Sequence, residues 1–313
     1  MRSFDPLLRG FPGTEAMPTL DSIKTRIATV ELLRSVVRTM KTLAAVSIRR
    51  QEKAIRDLEE YCRTIDLGLT ILMKNVADEP AEDTRNPEGP LGIVVLGSDQ
   101  GLCGRFNEQV VSFAVEQMRA LKPDKSARRI LCVGRRAINS LAENGEKVDN
   151  SLPAPVSVAG ILPAVNSILL AIDGWESRLR LAGVVVCHSR IRSGNVCVPT
   201  LLRLIPFDPD RLHELANMPW RGPTIPMFTM DRNRLFTLLI RHSLFASLYR
   251  ALAESMAAEN ASRLASMQAA EKNIGERLDE LNLQFRDLRQ GAVTEELLDI
   301  VAGFEAMTSG QKR

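Results

Sequence analysis

The stretch from Asp231 to Met307 contains no proline, the last one in the chain being Pro226, and its apolar residues Ile274, Leu278, Leu281, Phe285, Leu288 and Ala292 recur in steps of four and three. That spacing is a coiled-coil seam. At about 1.5 Å per residue such a helix is on the order of 115 Å long, whereas a domain of ~150 residues has a radius of gyration near ~15 Å, so most of it is expected to project beyond any domain the chain can build. A second proline-free stretch, Leu20 to Ala77, carries Val37, Met40, Ala44, Ile48, Ile55, Leu58, Cys62, Ile65, Leu69, Leu72 and Val76 at the same step, broken only by Gln51. Its internal Gly68 costs about 1 kcal/mol, too little to stop a helix with this many apolar contacts. Thr19 or Asp21 is placed to accept the first free amide protons.

Two such helices at opposite ends of one chain are expected to pair antiparallel. If both meet the intervening domain near Ala77 and Asp231, paired positions sum to roughly 308, and Leu20 falls opposite Leu288. Around Met40 the small residues fall near Ala261, Ala265 and Ala258 of the other helix, which marks either a place for close approach or no more than the helix propensity of alanine. Beyond Leu288 the C-terminal helix is alone. The apolar stripe changes phase there, to Val293, Leu297, Ile300, Phe304 and Met307 with Val301 beside it, and a lone helix cannot bury such a stripe against itself.

Between the helices, residues 78–90 read as a linker, with Pro80, Pro87, Gly89 and Pro90 among six charges. Leu91–Gly97 has the continuous apolar run of a buried parallel strand. A helix follows over Asn107–Leu121, a strand over Ile130–Val133, a helix over Arg136–Ala142 and an extended piece over Leu152–Val158. A helix then opens at Pro163 and runs to Leu179, followed by strands over Leu181–His188 and Val196–Leu204. Residues 206–226, with five prolines, read as an irregular return. The alternation predicts a mixed α/β fold: a long antiparallel coiled coil of N- and C-terminal helices plus a central Rossmann-like α/β domain. The divisions expected are 1–19 as an N-terminal extension, 20–77 as the first coiled-coil helix, 78–226 as the α/β domain, 227–307 as the second helix and 308–313 as a tail.

Composition narrows what the chain does. Of 313 residues, 45% are hydrophobic and 25% charged, and the net charge of +3 comes from basic residues scattered among acidic ones, which argues against nucleic-acid binding. No run approaches the roughly 18 consecutive apolar residues of a membrane span. The five cysteines form an odd set without a CxxC pair, as expected of reduced thiols, although Cys187 and Cys197 fall on neighbouring strands. The first 16 residues lack the apolar core of an export signal and are expected to be dispensable, with Met17 as an alternative start.

The turn after the first strand, Gly97-Ser98-Asp99-Gln100-Gly101-Leu102-Cys103-Gly104-Arg105-Phe106-Asn107, stands where a Rossmann-type fold binds phosphate. Its glycines are spaced GxxxGxxG, neither GxGxxG nor the GxxxxGK[ST] of an NTPase, so no nucleotide or other cofactor is expected. Cys103 near a helix start has the position of a stabilised thiolate, but no histidine accompanies it, and a buried structural thiol is the favoured reading. His188, His213 and His242 lie in no metal-binding spacing. No catalytic constellation and no metal site are expected.

Five segments give the chain a resemblance to a known family, the γ subunits of F-type ATP synthases. They are Leu20-x-x-Ile23-Lys24-x-Arg26-Ile27; Met40-Lys41-x-Leu43-Ala44-Ala45; Ser98-Asp99-Gln100-Gly101-Leu102-Cys103-Gly104; Glu259-Asn260-Ala261-Ser262-Arg263-Leu264 with Met267 and Asn273; and Arg289 to Leu297 with Ile300-Val301-Ala302-Gly303. The match runs from about residue 17 to 307. Gln100 stands where the family usually has arginine, Arg105 where it has a small residue, and the segment around Leu264 and Gln268 is less regular. These departures resemble a divergent branch such as the N-type sodium or proton ATPases.

The resemblance implies a non-catalytic central-stalk rotor that couples ion flow through a membrane ring to ATP synthesis or hydrolysis. The implied partners are the α and β subunits, the ε subunit and the c-ring, and the implied place is the cytoplasmic side of a bacterial plasma membrane, reached through the complex. It implies that Met40, Lys41, Arg289, Gln290, Thr294 and Glu296 face the catalytic subunits. The loop of Asp99, Gly101, Leu102, Cys103 and Gly104 would touch their lower lobes, and Leu297, Ile300 and Phe304 would lie in the bearing. Two other classes stay open on the residues alone: a nucleotide-dependent enzyme built on the α/β domain, and a coiled-coil tether that joins two proteins without rotation.

Overall fold

The computed structural model describes residues 19–74, 88–192, 196–219 and 227–310, without the side chains of Pro209 and of 303–310. The dispensable extension, the Met17 start, Val76, most of the 78–90 linker, and the side chains of Phe304 and Met307 lie outside the described residues. The chain divides into two compact units, Met40–Gln268 and the pair of segments Met1–Thr39 and Ala269–Arg313.

The Met40–Gln268 unit is built on five strands: β1 (Leu91–Leu96), β2 (Arg128–Val133), β3 (Asn150–Leu152), β4 (Gly183–Arg192) and β5 (Val196–Ile205). They are ordered β3-β2-β1-β4-β5, parallel except for β5, which returns antiparallel to β4. β1 is buried on both faces, which is why it reads as an unbroken apolar run. Ile93 and Val95 pack with Val185 and Cys187 under α2 (Phe106–Leu121) and α3 (Arg135–Glu143), through Val110, Ala114, Met118 and Leu141. Val94, Leu96, Val184 and Val186 face the other way. They pack against α4 (Ile161–Leu179) through Val165, Ile168 and Trp175, and against Leu248, Leu252 and Met256 of the C-terminal helix α6 (Arg232–Gly310). The sheet is therefore a middle layer between helices.

Within this unit the first helix, α1 (Leu20–Lys74), keeps its seam inward. Ala44, Leu58, Ile65, Leu69 and Leu72 are all buried. Gly68 permits a close approach, since an added Cβ would stand 3.0 Å from Leu239 Cδ1. Gln51, the one break in the apolar step, is also buried, because Asn260 Nδ2 donates to its Oε1 at 3.4 Å. Ala258 and Ala261 are buried as expected, but Ala265 is exposed, and Ala258 packs against Cys103 and Phe106.

Two local expectations are corrected. The irregular return contains a helix, α5 (Pro209–Asn217): the Asp208 carboxylate accepts from Asp210 N at 3.0 Å, and Pro209 in the first turn lacks an amide that would be unpaired anyway. Leu215 of α5 then joins Leu58, Ile65 and Leu69. The extended piece over Leu152–Val158 is a strand only to Leu152, and a 3-10 turn starts at Val158 and leads into α4 two residues before Pro163. Cys187 and Cys197 do lie on the neighbouring strands β4 and β5, where the register sets Cys197 opposite Ile191 and both thiols are free.

The second unit holds the first turns of α1 and the last part of α6. Thr19 is the cap, its Oγ1 accepting from Ser22 N at 3.3 Å and its carbonyl from Ile23 N at 3.1 Å. Ile23, Leu278 and Leu281 are buried. Arg38 Nε donates to Glu271 Oε1 at 2.9 Å, one residue from the antiparallel register that spacing predicted.

Candidate functional site

β1 ends at Leu96, and the next residue, Gly97, has no room for a side chain: an added Cβ would stand 2.3 Å from Ala137 Cβ. The turn after it is closed by side chains the chain itself supplies. Buried Ser98 donates through its hydroxyl to Gln100 O at 2.9 Å and accepts from Asn107 Nδ2 at 2.8 Å, while Ser98 N donates to Asn107 Oδ1 at 3.0 Å. Asp99 spans to two neighbouring segments. Its Oδ1 accepts from Arg135 N at 2.8 Å, at the start of α3 where a carboxylate is favoured, and its Oδ2 accepts from Ala154 N at 3.0 Å. Both carboxylate oxygens of this expected partner contact are thus engaged within the chain.

Cys103 is 2% exposed, packed on Phe106 and Ala258, with Sγ 3.7 Å from Ser98 Oγ. Burial pushes its thiol pKa up, against the pull of the Ser98 hydrogen bond. That is the environment of a structural thiol and the reverse of what a nucleophile needs. Leu102 beside it adopts φ +62° and leaves its side chain 44% exposed at the apex of the loop.

The loop is fastened to α6 by residues that the sequence offered only as part of a family pattern. Ser262 Oγ donates to Cys103 O at 2.6 Å. Arg263 Nη2 donates to Glu259 Oε1 at 2.6 Å and to Gly101 O at 3.4 Å, and its Nη1 donates to Asn260 Oδ1 at 3.1 Å. Asn260 reaches on to Gln51 of α1. Burial raises the Glu259 pKa, outweighing the attraction of Arg263, and the charge of Asp99 adds to the rise. Gly104 sits against this mount with φ +56°, where an added Cβ would meet Ser266 Oγ at 2.9 Å. Gly104→Ala is expected to lower stability by about 1–2 kcal/mol from the left-handed backbone alone, checked by urea unfolding.

Arg289, Gln290, Thr294, Glu296, Leu297 and Ile300 lie along the far part of α6, and every one is exposed. The seam is sheltered through Leu288, and every residue from Arg289 to Ala302 is exposed. Val293, Leu297, Leu298, Ile300 and Val301 have 50–63% of their surface in solvent. Met40 and Lys41 are half-buried on α1. Among the described residues, no group of three or more His, Cys, Asp or Glu is set to hold a metal ion.

A loop clamped to a terminal helix, its carboxylate and thiol consumed internally, and an apolar helix end without cover define a protein that works by touching other chains. The comparisons with known proteins name the class further. The chain belongs to the ATP synthase γ family: the ATP synthase family model matches residues 19–307. Relatives called ATP synthase gamma chain include one from Sinorhizobium fredii, 27% identical over 312 residues and covering 93% of this chain and all of the relative. Another from Nitrosomonas europaea is 25% identical over 296 residues, with the same coverage. The fold is similar to that of a chain in the Euglena gracilis mitochondrial ATP synthase in rotational state 3, with a TM-score of 0.62 at 15% identity, covering 94% of this chain and 96% of that one. A chain of the Tetrahymena thermophila mitochondrial ATP synthase central stalk and c-ring gives a TM-score of 0.52 at 18% identity, covering 75% and 99%.

Proposed function

We propose that this chain is the central-stalk rotor of a bacterial F-type ATP synthase, a non-catalytic subunit peripheral to the cytoplasmic side of the plasma membrane. The single observation that carries the reading is the bare apolar end of α6 in a chain of this family. The exposed stripe from Val293 to Val301, with Arg289, Gln290, Thr294 and Glu296 on the same helix, enters the ring of α and β subunits. Met40 and Lys41 face the same subunits from α1. Leu102 at the apex of the Asp99–Gly104 loop meets their lower lobes, and the α/β unit rests on the ε subunit and the c-ring.

A rotating contact must let go as readily as it forms. Apolar surface supplies attraction without fixed geometry, and exposed ion pairs worth about 0–1 kcal/mol exchange easily. The rotor transmits torque and leaves the chemistry to its partners.

The purified chain is expected neither to bind nor to hydrolyse MgATP, because the loop after β1 has Ser98 and Asp99 engaged within the chain and lacks a phosphate-loop lysine. Added to α and β subunits, it is expected to raise ATP turnover severalfold. Calorimetry with MgATP and a coupled ATPase assay check both halves. Micromolar binding abolished by substitutions at Gly101 and Gly104 would favour an enzyme instead, and unchanged turnover would favour a tether.

A further inference from the structure

Within the Met40–Gln268 unit a cavity of about 550 Å³ opens between strands β4 and β5 and helices α1 and α6. That volume is in the range of small-molecule sites. One end of it is cationic. His188 and Arg190 lie on the same face of β4, two residues apart, and Ser243, Ser247, Arg250 and Glu254 follow one another along one face of α6 at steps of four and three.

The acidic groups at this cavity are largely spent on other partners. Asp66 accepts from Arg211 Nη2 at 2.7 Å, Asp208 caps α5, and Glu254 Oε2 lies 3.0 Å from His188 Nε2. Arg190 and half-buried Arg250 make no hydrogen bond or ion pair among the described residues, and neither do the hydroxyls of Ser243 and Ser247. His188 is 4% exposed, and its Nδ1 is buried without a partner. A half-buried guanidinium without a counter-ion costs stability unless something in the cavity satisfies it. An anion does so for Arg250, and exposed Arg190 lines the same cavity. The other end of the cavity carries the apolar side chains of Ile65, Phe207 and Leu244 beside the paired Asp66 and Arg211.

We propose that this cavity binds a small organic phosphate ester, its phosphate held by Arg190, Arg250 and the Ser247 hydroxyl, its apolar body lying against Ile65, Phe207 and Leu244. The site is separate from the loop after β1 and from the end of α6, so it stands or falls independently of the rotor reading.

Phenyl phosphate, inorganic phosphate and phenol, titrated into the full-length chain by calorimetry, dissect the two ends. Phenyl phosphate should bind with a Kd below about 1 mM, inorganic phosphate roughly tenfold more weakly and phenol not measurably. Arg190→Gln and Arg250→Gln should each weaken phenyl phosphate roughly tenfold, the loss of one charge-assisted contact, and Ser247→Leu should block it by filling the cavity. Far-UV circular dichroism and melting curves report folding, and if one arginine variant unfolds, the other and Ser247→Leu decide. No saturation up to about 10 mM overturns the proposal, as does undiminished affinity in every folded variant.

Discussion

Cysteines placed at Leu297 and Ile300, in a chain whose five native cysteines have been replaced, should be alkylated as fast as a free thiol in the isolated protein and at least about tenfold more slowly in the assembled complex. Both positions are more than half exposed, and no described residue of the chain covers them. Burying a Leu or Ile side chain in full is worth about 1.5–3 kcal/mol, and roughly half of that is still to be gained at each of the five exposed apolar positions. A protection factor of ten needs only about 1.4 kcal/mol. Truncation after Gln290 should therefore change the stability of the isolated chain by less than about 0.5 kcal/mol, because residues 291–302 that it removes are all exposed, yet it should sharply reduce assembly or the coupling of ATP turnover to rotation. Equal labelling in both states together with unimpaired turnover after truncation would dismiss the shaft assignment and leave a static tether.

That this helix end would be bare was readable before any coordinates, because coiled-coil pairing is an arithmetic of rise and register. Leu288 is the last sheltered seam residue, and Arg38 meets Glu271 within a residue of the predicted register. The β1 run was readable for a similar reason, since a strand buried on both faces has no polar alternation to obscure it. What escaped were features set by long-range hydrogen bonding. Gln51 looked like a flaw in the heptad until Asn260 is seen to reach it, and Asp99, expected only as a partner contact, accepts from Arg135 and Ala154 in segments remote in sequence. The helix in 209–217 was hidden by proline count, although an Asp-Pro pair is itself a start signal once Asp208 is allowed to cap. The mount of the loop was legible only as a pattern: Glu259, Asn260, Ser262 and Arg263 fall within five residues of one helix, but nothing in their spacing says that two of them hold carbonyls of a loop about 160 positions earlier.

That mount carries the second large effect. Arg263→Met should destabilise the chain by about 2–4 kcal/mol, because it strands the largely buried Glu259 carboxylate and releases Gly101 O, whereas Glu259→Gln should cost less than about 1 kcal/mol, its amide oxygen still accepting from Arg263. The double variant should recover more than half of the Arg263→Met loss, since no charge is then left without a partner. The pH dependence follows from the raised pKa of Glu259, caused first by burial. A carboxyl that is harder to ionise folded than unfolded contributes stability fully present below its unfolded pKa and lost as pH rises from there through the folded value. The contribution is therefore at its greatest in acid. Glu259→Gln should flatten the stability profile across that window, and Arg263→Met should steepen it, as urea unfolding at a series of pH values will read. Because the same guanidinium holds the loop that presents Leu102, Arg263→Met should also lower ATP-driven coupling in the assembled complex while leaving the protection of a cysteine at Leu297 unchanged. An Arg263→Met variant no less stable than wild type, or a double variant no better than it, would mean that the loop is held by Ser262 and packing alone.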